Sequence, residues 1–326
     1  MRRRGMLAGL GLAAAATPRI ARAQAEAWPG NRPVRIVHPS QPGGPGDVYT
    51  RLLCEHLGRA FGGTFVTENR VGGTGTIGTV MVAQAPADGW TLLMTSNTAH
   101  VVAPLVLRNP GFDPVRDFAP VAAIYRYGMM LIVSPRIPAR STAEFVTWAK
   151  AQPNGVNMAS VGTGSVGHLM AERFHLRADF QRVHVPYRGG PAAVLAVAQG
   201  ESDYIFDNIG NSGALIREGR LNGLALTGPG RSRVMPEIPT LAEVGYPGFQ
   251  EEVWFGLYAP TGTPRAIIDR LNAETNRWIA SPAIQQRMLE GAHEPMGGSP
   301  EDLAEYWRRE RAMWTEVVRE TGVRAE

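Results

Sequence analysis

The chain holds one cysteine, no apolar run long enough to span a bilayer and, once its first residues are set aside, no excess of positive charge. Each shortage removes a class of protein. A lone thiol, Cys54, cannot form an intramolecular disulfide, and its place among apolar residues of a predicted helix makes it a buried structural side chain. The apolar stretch at residues 6–16 falls well below the roughly 18 to 20 residues of a membrane span. A nucleophile elbow of the G-x-S-x-G kind is also missing. Gly210-Asn211-Ser212-Gly213-Ala214 lacks the closing glycine, and Ser165 has Thr163 where the first glycine belongs. His168, Glu172 and His175 share one helix face at i, i+4 and i+7, which would present three metal ligands. No fourth ligand and no H-E-x-x-H run accompany them. The glycine-rich loops carry only two acids, Asp47 and Asp207, so paired carboxylates for acid–base work are wanting too. The sequence points to no catalytic residue, no metal and no cofactor.

What is present begins with a leader. Met1-Arg2-Arg3-Arg4 is a basic start, residues 6–16 are apolar, and Ala21-Arg22-Ala23 puts small residues at both positions of an A-x-A cleavage site. Residues 1–23 therefore read as a signal peptide, and the remainder as a periplasmic protein. The pair Arg3-Arg4 before Gly5-Met6-Leu7, with Arg19 and Arg22 after the apolar run, resembles a twin-arginine signal, although Arg2 stands where a hydroxyl residue is usual. The leader takes five arginines and no acid with it, leaving 28 basic residues against 29 acidic ones. No basic stripe remains for nucleic acid or an anionic membrane.

A length of 326 residues at 44% hydrophobic suggests two domains or lobes, with enough core to need no staple. Residues 34–37, 64–66, 91–94, 131–134, 183–185, 204–206 and 224–226 read as strands, with helix-period segments such as 48–60 and 142–151 between them. This alternation predicts an α/β fold of βαβ units and mostly parallel sheets. From Pro264 the chain is strongly helical, as in residues 301–320 with Trp307 and Trp314.

The glycines gather where strands turn into helices. Gly43-Gly44-Pro45-Gly46-Asp47 follows the first strand, Gly162-Thr163-Gly164-Ser165 precedes a helix, and Arg188-Gly189-Gly190 and Asp207-Asn208 each follow a strand. That edge is where open α/β sheets bind ligands, and its helix N-termini suit an anion. Gly73-Thr74-Gly75-Thr76-Ile77-Gly78 and Gly162-Thr163-Gly164-Ser165-Val166-Gly167 match the dinucleotide fingerprint. The strands after them end in Met94-Thr95-Ser96 and Val185-Pro186-Tyr187, without the acid a ribose needs. A pocket of amides and hydroxyls suits recognition better than catalysis.

An ordered set of motifs carries a resemblance. Pro39-Ser40-Gln41-Pro42-Gly43-Gly44-Pro45-Gly46-Asp47 is similar to a first glycine-rich loop of the form P-x-x-P-G-G-x-x-D. Glu68-Asn69-Arg70, Asp88-Gly89-Trp90, Phe112-Asp113-Pro114, Asp117-Phe118-Ala119-Pro120, Val185-Pro186-Tyr187-Arg188-Gly189, Phe206-Asp207-Asn208, Pro239-Thr240-Leu241-Ala242-Glu243 and Trp254-Phe255-Gly256-Leu257 follow in order. Together they resemble the Bug (TctC-like) receptors of tripartite tricarboxylate transporters over nearly the whole chain beyond the leader. The resemblance implies a two-lobe, type II-like periplasmic binding protein whose hinge is two crossover strands, near residues 129–134 and 251–259. One lobe would hold residues 28–127 and 252–326, the other 128–251. It also implies a monomer that takes a small carboxylate (a di- or tricarboxylate, an aromatic acid or an amino acid) and docks to a two-component membrane permease. Carried over by motif, the contacts would be Gly43, Gly44 and Asp47, with Ser96 and His100 nearby, and Thr163, Ser165, His168, Tyr187 and Asp207 from the other lobe. Pro45 departs from the pattern by removing one N–H donor from the first loop. Arg126 and Arg188 are read as solvated or hinge-side arginines. Two alternatives stand beside this reading: a secreted serine hydrolase using Ser212 or Ser165, and a sensor that passes the same ligand's signal to a membrane kinase.

Overall fold

The computed structural model describes residues 28–325; the leader expected at residues 1–23 lies outside them. The strands in chain order are β1 (Val34–His38), β2 (Phe65–Asn69), β3 (Thr91–Ser96), β4 (Phe118–Gly128), β5 (Met130–Val133), β6 (Val156–Ser160), β7 (Arg182–Pro186), β8 (Tyr204–Asp207), β9 (Asn222–Leu226), β10 (Glu252–Pro260) and β11 (Glu294–Gly297). The helices are α1 (Pro45–Phe61), α2 (Thr76–Ala83), α3 (Ala103–Val106), α4 (Thr142–Lys150), α5 (Val166–Ala178), α6 (Gly190–Gln199), α7 (Ile209–Arg217), α8 (Arg265–Ala280), α9 (Pro282–Glu290) and α10 (Pro300–Thr321).

Two sheets result, in the orders β11-β4-β10-β3-β1-β2 and β7-β6-β8-β5-β9. They are mixed rather than mostly parallel. The expected parallel pairing joins β1 to β2 and β3, and β6 to β7 and β8. Antiparallel pairing enters with the strands next to the crossings: β10 pairs antiparallel with β3 and β4, and β5 with β8 and β9. Strands β5 and β8 are buried at every residue, as expected of strands covered on both faces.

Local chemistry sets the helix ends. Pro45 opens α1 with a preset φ, and Gly62 closes it at φ 64°, a left-handed turn that glycine adopts without strain. Tyr49, Leu53 and Leu57, four residues apart, form the buried stripe of α1. Cys54 is buried beside them, and burial pushes its thiol up to about 11. Helix α10 begins with a capping box between Ser299 and Asp302 and buries Leu303, Trp307, Trp314 and Val318 along one face.

The chain passes between the sheets twice. Strand β4 hands over to β5 across the single residue Met129, and the return runs through residues 227–251 into β10. The two passages meet at Thr227. Its backbone N–H donates to the Met129 carbonyl (2.7 Å). Its hydroxyl accepts the Met129 N–H (2.9 Å) and donates to the Glu251 carbonyl (2.8 Å). A Cβ on Gly128 would lie 2.4 Å from the Thr227 carbonyl oxygen, so only glycine lets the passages touch. The first crossing at Met129 falls within the segment 129–134 expected for it, and β5 then runs on in the second sheet.

Candidate functional site

Between the sheets lies a cleft of about 620 Å³. Five helices start on its wall: α1 at Gly44–Gly46, α2 at Gly75, α5 at Val166, α6 at Gly189–Gly190 and α7 at Asn208. Each start has N–H groups without an intrahelical partner and the positive end of a helix dipole; side chains cap one or more of them at α5 and α7. Side-chain cations are scarce by contrast. The chain's single lysine is Lys150, which is not on the wall; Arg188 is the one arginine there, and it is exposed.

Four of the ten residues expected at the site line the cleft: Gly44, Ser96, Tyr187 and Asp207. The other six sit behind the wall or beside it. Gly43 is exposed at φ 90° and donates its N–H to Asp47 Oδ2 (3.0 Å). Asp47 is buried and turned to its own loop, accepting from Arg51 Nε (3.0 Å) and Asn69 Nδ2 (2.9 Å) as well. Burial pushes its carboxyl up, but Arg51, the Gly43 N–H and Asn69 outweigh burial and hold it below the usual range. Ser165 caps α5, accepting the His168 N–H (3.3 Å). Thr163 contributes its carbonyl, which accepts from Thr74 Oγ1 across the cleft (2.9 Å).

His168 is also turned inward. Its Nδ1 accepts the Gly164 N–H (3.0 Å), and its Nε2 lies 3.3 Å from Glu172 Oε1. The three residues at i, i+4 and i+7 thus form a network centred on Glu172, which also binds His175 (3.1 Å) and Arg182 (Nε, 2.8 Å). Burial pushes the Glu172 carboxyl up, but hydrogen bonds from His168, His175 and Arg182 overcome it and hold the group far below the usual range. His100 is buried in an aromatic box with Tyr258, Phe118 and Phe112, ring centroids 4.1 to 6.3 Å away, so it faces core and not cleft.

Residues that the motifs pass over complete the wall. His38, at the end of β1, is buried and lines the cleft; a hydrogen bond to the Met94 carbonyl (3.1 Å) requires the proton on its Nδ1. Burial lowers its pKa, so the ring is neutral. Asn208 and Asn211 flank Asp207: Asn208 Oδ1 accepts the Asn211 N–H (2.9 Å), and Asn211 Nδ2 donates to Asp207 Oδ2 (3.0 Å). Burial pushes Asp207 up to about 6, against the pull of Asn211 and Asn208. The spacing Asp207-Asn208-x-x-Asn211 was a readable signal, an N-cap with a partner three residues on. Arg126 lies at the hinge, paired with Glu252 (3.3 Å) and Glu294 (3.0 Å), beside a second cavity of about 830 Å³ that shares Tyr127 with the cleft.

The hydrolase candidates do not form a nucleophilic pair. Ser212 is buried and donates to the Asn208 carbonyl (3.1 Å). Ser165 serves as the helix cap described above.

Two α/β sheets, a double crossing and a cleft ringed by helix starts define a two-lobe periplasmic binding protein. The family model for the tripartite tricarboxylate transporter family receptor, TctC, matches residues 49–323, and the chain belongs to that family. It is 32% identical to protein BugT of Bordetella pertussis over 320 residues, 98% of each chain. Among solved structures it is similar to an R. palustris protein with adipate at TM-score 0.87 and 33% identity, over 91% of this chain and 99% of that one. It is also similar to MatC from Rhodopseudomonas palustris with bound malate at TM-score 0.83 and 30% identity, over 88% and 99%. The family is one of transporter receptors, and a similar solved structure is the periplasmic binding protein BugD; the family's members are receptors and not enzymes.

Proposed function

We propose that this protein is the periplasmic receptor of a tripartite tricarboxylate transporter and captures a small carboxylate in the cleft for uptake by a two-component membrane permease. The observation that carries the reading is the convergence of five helix N-termini on a cleft almost free of cationic side chains. Backbone N–H groups and dipoles bind a carboxylate there without the desolvation cost of a buried lysine. The adipate and malate in the two similar R. palustris structures support the ligand class. The lobes, residues 28–127 with 252–326 and residues 128–251, close over the ligand by bending at the double crossing. Across the cleft they touch through Thr74 Oγ1 to the Thr163 carbonyl (2.9 Å) and the Val166 N–H to Thr98 Oγ1 (3.3 Å), and outside it through Arg173 and Arg177 on Glu320 (2.9 and 2.7 Å). The leader motifs at residues 1–23 support the periplasmic location, and among the described residues no helix is long and apolar enough to cross a membrane.

Thermal unfolding against a panel of carboxylates tests the reading. A ligand at 100 times its Kd adds about 2.7 kcal/mol, which raises the midpoint by roughly 4 °C or more for a protein of this size. A rise confined to a few related acids supports the proposal. No rise with any acid overturns it.

A further inference from the structure

The two acids near the cleft are built differently. Asp47 has its two oxygens filled by the Gly43 N–H, Arg51 and Asn69, and it faces its own loop. Asp207 lines the cleft while only 3% exposed. Its partners are two neutral amides, Asn211 Nδ2 on Oδ2 (3.0 Å) and Asn208 Nδ2 on Oδ1 at a long 3.3 Å. A carboxylate has about four lone-pair sites, so this one is half filled, buried and without an ion-pair partner.

The surroundings hold it in that state. Asn208 is fixed as the cap of α7 by accepting the Asn211 N–H, and Tyr127 shares the cleft wall with it. A Cβ on Gly190 would lie 2.2 Å from Asn211 Nδ2 and 3.2 Å from Asp207 Oδ2, so the α6 start packs bare backbone over the group. The ionisable groups around the carboxyl do not neutralise it. Tyr127 is a phenol that burial keeps protonated, His38 across the cleft is a neutral ring, and Arg188 on the next loop is exposed. A buried acceptor lacking donors is costly unless something supplies them. Asp207 lines the cleft all the same, so a ligand there can supply them.

Resting on the receptor reading above, we infer that Asp207, held by Asn208 and Asn211, receives a hydrogen-bond donor on the ligand. The receptor then prefers carboxylates that bear a hydroxyl or ammonium group over plain ones of the same skeleton. The helix starts bind the carboxylate, and Asp207 reads the substituent. A site with a buried acceptor rejects an analogue that lacks the donor far more strongly than an apolar site rejects a missing methylene.

The test is calorimetric titration of the full chain, unfolded and refolded to strip carried-over ligand, with two matched series: succinate, malate and aspartate, then glutarate, 2-hydroxyglutarate and glutamate. The expected result is at least tenfold tighter binding of a hydroxy or amino acid than of its plain parent in one series. Malate or 2-hydroxyglutarate leading identifies a hydroxyl, and aspartate or glutamate an ammonium. In Asp207→Asn that advantage should fall below threefold, chiefly by weakening the donor-bearing ligand. Asn211→Ala, which removes one of the amides that orient the carboxylate, should narrow it as well. Plain acids that bind as tightly as their substituted partners overturn the inference and leave the receptor reading intact. So does an Asp207→Asn variant that weakens all ligands equally, which is what a purely structural helix-start acid would do. Binding of no carboxylate at all overturns both. The ranking on the unaltered protein needs no variant, so a substitution that fails to fold does not shield the inference.

Discussion

Two glutamates, Glu172 buried and Glu252 half-buried, show how differently one residue type behaves in this fold. Glu172 has a folded pKa below its unfolded one, so its contribution is present above the ordinary carboxylate range and is lost as pH falls through it. Glu172→Gln should therefore cost about 3 kcal/mol or more at pH 7 in urea unfolding, as for a broken buried ion pair, with the gap shrinking toward pH 3. Glu252 is the opposite case: burial pushes it up to about 7, with Arg126 opposing. Its folded pKa lies above the unfolded one, so the protonated form is favoured and stability falls as pH rises from about 4.5 to 7. Glu252→Gln should accordingly raise the unfolding midpoint at pH 8 and leave it unchanged at pH 4; a lower midpoint at pH 8 would refute this. The same contrast explains what the sequence disclosed about the cleft. Loop membership is local, and Gly44, Ser96, Tyr187 and Asp207 lie on the wall. The direction of a side chain within a loop is decided by partners further along the chain. Asn69 and Arg51 turn Asp47 inward, and Glu172 does the same to His168.

At the scale of elements, strand–helix alternation was legible because its causes are local: apolar runs, caps and glycine stops. Ser165 caps α5 and Gly62 ends α1 through partners only a few residues away. Pairing direction was not legible, since it depends on how the chain returns to a sheet it has left. Nor was the hinge contact, because Thr227 and Met129 are brought together only by that return. Helix α5 offers a test. A Cβ on Gly167 would sit 2.6 Å from the Phe206 carbonyl oxygen of β8, so Gly167→Ala must lift the helix start off the strand. A cost of about 1 to 3 kcal/mol follows from overpacking of this kind. Because α5 opens on the cleft, ligand affinity should fall as well; an unchanged affinity would show that this helix start does not contribute to binding.

For the molecule as a whole, the contacts that bridge the cleft matter only in the closed state. Thr74→Ala combined with Thr98→Ala removes both hydroxyls that span it. The expected outcome is weaker ligand binding in calorimetry, by roughly the 0.5 to 1.5 kcal/mol of each lost hydrogen bond, with an unchanged unfolding midpoint when no ligand is present. The order of strands also has a bearing on biosynthesis. Strand β10 sits between β3 and β4, although more than 120 residues separate it from the end of β4 in the chain. A ribosome finishes every strand of the five-stranded sheet before it delivers the one that seals the six-stranded sheet. The nascent chain therefore carries an open gap beside β3 and β4 from the end of β4 until β10 is made, with unpaired strand edges that invite aggregation. A chaperone that guards the growing polypeptide would have most to protect at those two edges, until translation reaches residue 260.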